Sequence, residues 1–428
     1  MKIVHFDLKG APPKIEYYAK IFPLLRKLNV QAVLMEYEDM FPYKGFLKII
    51  TKQNSYTEKE IAMIQVIAEN NQLEIIPLVQ TMGHLEFVLK HSKFSHLREK
   101  GETASTICPS ADESWNVITE MLGQVRSLHP KSKRIHIGAD EAWQVGTDER
   151  CIERFLKDSN FTMDDLKLSH ISRTARYSRD VLKFENVFAW NDMFERSSTY
   201  SLKKYEFGKL LIPVVWGYAV DVTKPEYFPT GMLQRYSEVF DKLLFASAYK
   251  GANGQANVFV DINRYFLNQI SYVNLYYLNS TELLGRVGGI VLTGWQRYNH
   301  FAPLCELHPS SIPSMVIDLL YLNNTSLNLL QLVHIARGIL GCSIASEQLP
   351  IHLESGSYYP TLEALFMHCN FAGHEIYELV ENLRFLHWKS KRISSQFDVL
   401  QIGAEIVDIE VKVSLSLISF NAVVIAIK

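Results

Sequence analysis

Ile135-His136-Ile137-Gly138-Ala139-Asp140-Glu141-Ala142-Trp143 decides how this chain folds. Its first half is a short apolar run of β character. The run stops at two adjacent carboxylates, and a loop begins. In α/β proteins the C-terminal ends of parallel strands are where catalytic side chains stand. Two neighbouring acids there can be driven to different pKa values and take different roles. Strand alternation puts His136, Gly138 and Asp140 on one face, with Gly138 leaving room beside Asp140.

Seven more runs of this kind flank it: Ile3–Asp7, Ala32–Glu36, Glu74–Gln80, Asn186–Trp190, Leu211–Trp216, Lys242–Ala248 and Gly289–Trp295. Stretches of helical period lie between them. Ile15–Leu28 carries Ile21, Leu24, Leu25 and Leu28. Thr57–Asn70 opens on a capping pair, Thr57 and Glu60, and continues with Ile61, Ile64 and Ala68. Asp112–Leu128 carries Val117, Met121, Val125 and Leu128. Eight strand–helix units predict a (β/α)8 TIM barrel over residues 1–324. Residues 325–428 predict a mainly helical C-terminal extension, with Leu327–Leu340 and Thr361–Leu386 as amphipathic helices. Val407–Lys428 alternates like a strand and ends in an apolar tail well short of the ~20 residues that span a bilayer. No packing is assigned to it.

The strand exits share a character. They carry Asp7 with Lys9, Glu36 with Asp39, Gln80 with His84, Asp140-Glu141, Trp190-Asn191-Asp192, Trp216, Tyr249 and Trp295-Gln296-Arg297. In a barrel these ends form one rim. Polar side chains collect there by definition, because strands end where polar residues begin. Three tryptophans and a tyrosine on four successive exits need a further reason, and a site that stacks a sugar supplies it.

Composition narrows the function. The chain has 428 residues, 47% of them hydrophobic, enough for a large core. Lys plus Arg number 44 and Asp plus Glu 46, a net charge of −2. Nothing here draws nucleic acid or an anionic membrane. The 5 cysteines are scattered and include no C-x-x-C pair, and read as reduced thiols. No signal-peptide stretch opens the chain. The expected location is the cytoplasm, with the nucleus open to it. A homodimer is compatible with this reading.

His136-x-Gly138-x-Asp140-Glu141-x-Trp143 resembles the active-site signature of the family 20 glycoside hydrolases, the β-N-acetylhexosaminidases. Four segments support the resemblance: His5–Pro13, Met35–Tyr43, Ile76–Glu86 and Leu292–Tyr298. To about residue 320 the chain is similar to the nucleocytoplasmic branch of that family. The resemblance implies a retaining exo-β-N-acetylhexosaminidase acting on terminal, non-reducing residues. It also implies substrate assistance, in which the 2-acetamido oxygen is the nucleophile. Glu141 is then the acid/base, with a raised pKa, and Asp140 the ionised partner that holds the acetamido N–H. Trp190 and Trp216 would enclose the acetamido group, Trp295 would floor the sugar, and Tyr249 would orient the acetamido oxygen. Asp7, His84 and Gln296 complete the binding set. Many members use an arginine near the place of Lys9, and an acid at those of Gln80 and Gln296. The branch implies preference for N-acetylgalactosamine over N-acetylglucosamine. No cofactor and no metal enter the reaction.

Two rivals remain at this stage. A metal-dependent barrel hydrolase could use His84, His91, His136 and Asp140, but no H-x-H or H-E-x-x-H spacing is present. A barrel that binds N-acetylhexosamine without cleaving it would keep the tryptophans but gain little from the paired acids.

Overall fold

The computed structural model describes residues 1–343 and 361–394, with side chains to residue 387. The expected tail at Val407–Lys428 lies outside them. Eight strands are present: β1 Lys2–Asp7, β2 Ala32–Glu36, β3 Glu74–Leu78, β4 Arg134–His136, β5 Asn186–Trp190, β6 Ile212–Trp216, β7 Leu243–Lys250 and β8 Val287–Gly294. They close into one barrel in chain order, and β1 pairs in parallel with both β2 and β8. This is the (β/α)8 fold.

Its core follows from period-2 alternation. Ala32 and Leu34, Ile76 and Leu78, Phe188 and Trp190, and Leu244 and Ala246 belong to one buried cluster with Ile3, Val214 and Val291. These are inward positions, filled with branched and small residues as a barrel interior demands. Further along, the same inward rows change character, to His5 and Asp7, Glu36, and Gln80. The outer helices obey their sequence. Thr57 caps the helix Glu58–Asn70 through a full capping box with Glu60, and Ile61, Ile64 and Ala68 are its buried stripe.

Packing divides the chain into two compact units: Met1–Ala248 with Leu267–Pro303, and Tyr249–Phe266 with Leu304–Lys428. The second unit contains helices Ile312–Asn323, Leu329–Ile339 and His374–Ser394. The single helix expected from Thr361 is broken instead: a 3-10 turn covers Leu362–Phe366 before the helix starts at His374. His368 and Gly373 take positive φ between them, and a Cβ on Gly373 would stand 2.6 Å from Pro309 Cβ.

The reading of five free thiols is corrected here. Cys342 and Cys369 form a disulfide, and Cys108, Cys151 and Cys305 are buried outside it. Gly341, at φ +65°, turns the chain against Asn370, and two main-chain bonds, Asn370 N to Leu340 O and Ser343 N to His368 O, lay the two segments side by side. That pairing is tertiary and leaves no trace in sequence spacing. Among the described residues no helix is long and apolar enough to cross a membrane.

Candidate active site

β4 ends at His136, so the alternation read through Asp140 stops four residues early. Gly138, Ala139 and Glu141 all take positive φ, at +62°, +69° and +47°. For Ala139 and Glu141 this costs on the order of 1 kcal/mol each, a strain that clusters at functional sites. The loop is fixed by close approach. A Cβ on Gly138 would meet Gln80 Oε1 at 2.0 Å, so the space at Gly138 is Gln80's rather than Asp140's. A Cβ on Gly83 would meet the Asp140 carbonyl at 1.9 Å. Glycine at 83 therefore lets the β3 exit loop lie directly on the acid pair.

That contact delivers His84. Its Nε2 stands 3.1 Å from Glu141 Oε2 and 3.4 Å from Asp140 Oδ2. Burial alone would lower the imidazole, but the Asp140 charge, the bond to Glu141 and the Glu86 charge outweigh it and carry its pKa to about 10. His84 is thus a cation between two acids. Asp140 is 5% exposed and the Glu141 side chain 37%. Burial therefore falls on Asp140 more than on Glu141. It lifts Asp140 to about 7, with the charges of Asp192, Glu36 and Glu141 adding and that of His84 opposing. Asp140 Oδ1 has no hydrogen-bond partner among the described residues.

Asp192, at the β5 exit, holds the arrangement from the other side. Its Oδ2 accepts the Glu141 backbone N–H at 2.8 Å and its Oδ1 the Trp216 indole N–H at 3.1 Å. Burial raises Asp192 to about 6 against these two donors. Neighbouring Asn191 accepts the Trp216 backbone N–H at 3.2 Å.

Across the rim, Lys9 is a buried cation. Its Nζ is 2.8 Å from Asp7, 3.5 Å from Glu36 and 3.7 Å from Glu38. His5 Nε2 stands 3.0 Å from Glu36, and Gln80 donates to the same carboxylate at 3.2 Å. Burial would raise Glu36, yet Lys9, His5 and Gln80 together hold it below the usual range. Asp7 also accepts the Gln296 backbone N–H at 2.7 Å, so Gln296 meets Asp7 through its main chain.

The aromatic wall is continuous. Trp190 is fully buried, with its ring 4.4 Å from His136 and 5.8 Å from Trp295. Trp216 stacks on Tyr218 at 5.3 Å, and Tyr218 lies 6.4 Å from Trp295. His5 meets the Trp295 edge at 4.7 Å, and Lys9 Nζ stands 5.5 Å from the Trp295 ring centre. Tyr218 escaped the sequence reading. Burial raises its phenol, against hydrogen bonds with Thr293 and Trp295. The spacing Trp216-x-Tyr218 is the signal that could have found it. Tyr249 closes β7 in the second unit, buried, with its hydroxyl 3.1 Å from His308 Nδ1.

A parallel eight-stranded barrel with paired acids and tryptophans at its C-terminal rim defines the class of barrel glycoside hydrolases. The chain belongs to one family of them: residues 24–216 match the catalytic domain of glycosyl hydrolase family 20. The chain is 38% identical over 320 residues to the Hexosaminidase D of Bos taurus, covering 91% of that protein and 74% of itself. It is 39% identical over 316 residues to the Hexosaminidase D of Homo sapiens, again over 74% of itself, and spans 64% of that relative's length. Among solved structures, the β-N-acetylhexosaminidase from Bacteroides fragilis superposes with a TM-score of 0.53 at 15% identity, over 70% of this chain and 61% of that one, a likeness of fold.

Proposed function

We propose that this protein is a retaining exo-β-N-acetylhexosaminidase that removes terminal, non-reducing β-linked N-acetylhexosamine, galacto in preference to gluco. The observation that carries the reading is the acid pair in contact with one histidine, Asp140 buried and Glu141 half open.

In this reading the sugar enters with its acetamido group against Trp190 and Trp216 and its ring on Trp295. An apolar enclosure keeps water from competing with the intramolecular attack. Asp140 accepts the acetamido N–H. That hydrogen bond favours its charged form and offsets the burial that lifts it to about 7. The acetamido oxygen, oriented by Tyr249 as the resemblance implies, with Tyr218 on the wall of Trp216 and Trp295, attacks the anomeric carbon. Glu141 protonates the leaving oxygen, the glycosidic bond breaks, and a cyclic oxazolinium ion remains. Glu141 then takes a proton from water, which opens the ion with net retention. Asp7, His84 and Gln296 remain in the proposed binding set. Cytoplasm and nucleus remain the proposed location, resting on the resemblance.

The test uses aryl N-acetyl-β-galactosaminide and -glucosaminide with NMR of the first-formed anomer. Release of β-product, faster from the galacto sugar, is expected. An α-product would overturn retention, and equal or reversed rates would overturn the preference. No release at any pH would leave the non-catalytic sugar-binding barrel.

His84→Asn gives a second expected result. The imidazolium opposes the rise of Asp140, so its loss moves that pKa further up. The acid limb of kcat/KM should shift to higher pH by about one unit or more. A limb that stays in place would show that His84 does not govern the acid.

A further inference from the structure

We propose that Glu99, Cys108 and Cys151 form a structural zinc site that ties the loop bearing His84 to the loop bearing the acid pair. The three side chains converge in the barrel unit at a place the reaction does not use. Their ligating atoms all lie within 4.8 Å of one another. Both cysteines are fully buried and Glu99 is 2% exposed. The sulfurs stand 3.6 Å apart, and Cys151 Sγ is 3.1 Å from Glu99 Oε1. Two thiolates on a tetrahedral zinc, each at ~2.3 Å, stand ~3.8 Å apart. A disulfide would bring them to ~2.05 Å. The observed separation is far too long for a disulfide and matches the edge of a zinc tetrahedron.

The surroundings are those of a supported ligand set. Glu99 Oε2 accepts the backbone N–H groups of Thr147 at 3.0 Å and Asp148 at 2.9 Å. Those bonds hold the carboxylate with its other oxygen toward the sulfurs, the way metal ligands are oriented by their outer partners. Ser110 Oγ, 3.0 Å from Cys151 Sγ, marks the side from which it or a water would supply the fourth position. Two thiolates and a carboxylate leave one negative charge beyond what a zinc dication cancels. Arg150, whose charge is felt at both cysteines, and Arg154, 3.3 Å from Ser110 Oγ, supply positive charge nearby, and Asp148, which bonds Cys108, is held by Arg150. A surface groove lined by Glu99, Lys100, Thr147, Asp148 and Arg150 reaches the same carboxylate and offers an entry path.

The consequence runs to the acids along hydrogen bonds. Glu99 pairs with Thr106 in a short hairpin. Ile107 N donates to Met82 O, and Leu85 N to Ser105 O, on either side of His84. Ser105 and Thr106 hydroxyls both donate to Gln144, three residues beyond Glu141, at 2.9 and 2.8 Å. Cys151 sits in the helix Glu149–Lys157 that follows. A metal at this junction fixes one loop against the other.

Full-length protein stripped with a chelator and titrated with zinc should take up one ion per chain, by elemental mass spectrometry, and its Tm should rise. Cobalt in its place should give a thiolate-to-metal charge-transfer band and the visible bands of a tetrahedral site. Cys108→Ser and Cys151→Ser should each abolish the band, and Cys305→Ser should keep it. A folded wild type that binds neither metal overturns the proposal, as does a cobalt spectrum without thiolate character. A Cys108–Cys151 disulfide in the native protein overturns it too. Those wild-type readouts decide the matter even where a serine variant folds poorly.

Discussion

Glu141→Gln is expected to lower kcat on an aryl N-acetyl-β-galactosaminide by roughly 10²–10⁴-fold, the span that a general acid/base supplies. Glutamine keeps the shape of the side chain. The backbone N–H at 141 still bonds to Asp192, and that bond, rather than the carboxyl, holds the strained loop. The loss is therefore chemical. It should depend on the leaving group, because a dinitrophenolate departs without a proton and an alkoxide does not. The deficit should be small for the first and full for the second in the bond-breaking step. KM should move much less than kcat, since the removed proton acts at the transition state. Retained turnover on an alkyl glycoside would remove Glu141 from the role of acid.

The barrel was legible because its strands obey one rule. Each is a short β-rich run between helical periods, and β2 and β5 match the sequence reading end to end. The capping pair at Thr57 and Glu60 was legible for the same reason: it is local chemistry. His84 was within reach because it follows a strand exit by a few residues, and all exits share one rim. What alternation could not show is where a strand gives way to left-handed backbone. β4 ends at His136, and the acids are placed by Gly83 and Gly138, whose missing side chains make room for Asp140's carbonyl and for Gln80. The division of burial between Asp140 and Glu141 follows from that loop, and residue spacing carries no signal for it. Tyr218 lies two residues past the end of β6, beyond what strand exits alone display. The Cys342–Cys369 bridge and the Cys108–Cys151 approach join segments that are far apart in the chain, and scattered spacing carries no signal for either.

Asp140→Asn should cost kcat on the order of 10²–10³-fold on the same substrate, the loss typical when one preorganised group facing a developing charge is removed. The amide is nearly isosteric, but it brings no negative charge to the cation that grows on the ring and acetamido group. It can also turn its own N–H toward the acetamido N–H and orient the nucleophile wrongly. The pH dependence separates this from simple damage. In the proposed reaction Asp140 must be ionised, and burial carries it to about 7, so kcat/KM should fall as pH drops through that value. Asparagine has nothing to titrate there, and the low residual rate should lose that limb. The partner moves as well. Asp140 is the largest of the charges that lift His84 to about 10, so its removal must lower that pKa. Imidazole NMR on the two proteins reads the shift without reference to turnover. A His84 titration that does not move would mean that the histidine and the buried acid are not coupled, and a variant that keeps both its rate and its acid limb would mean that Asp140 carries no charge the reaction needs.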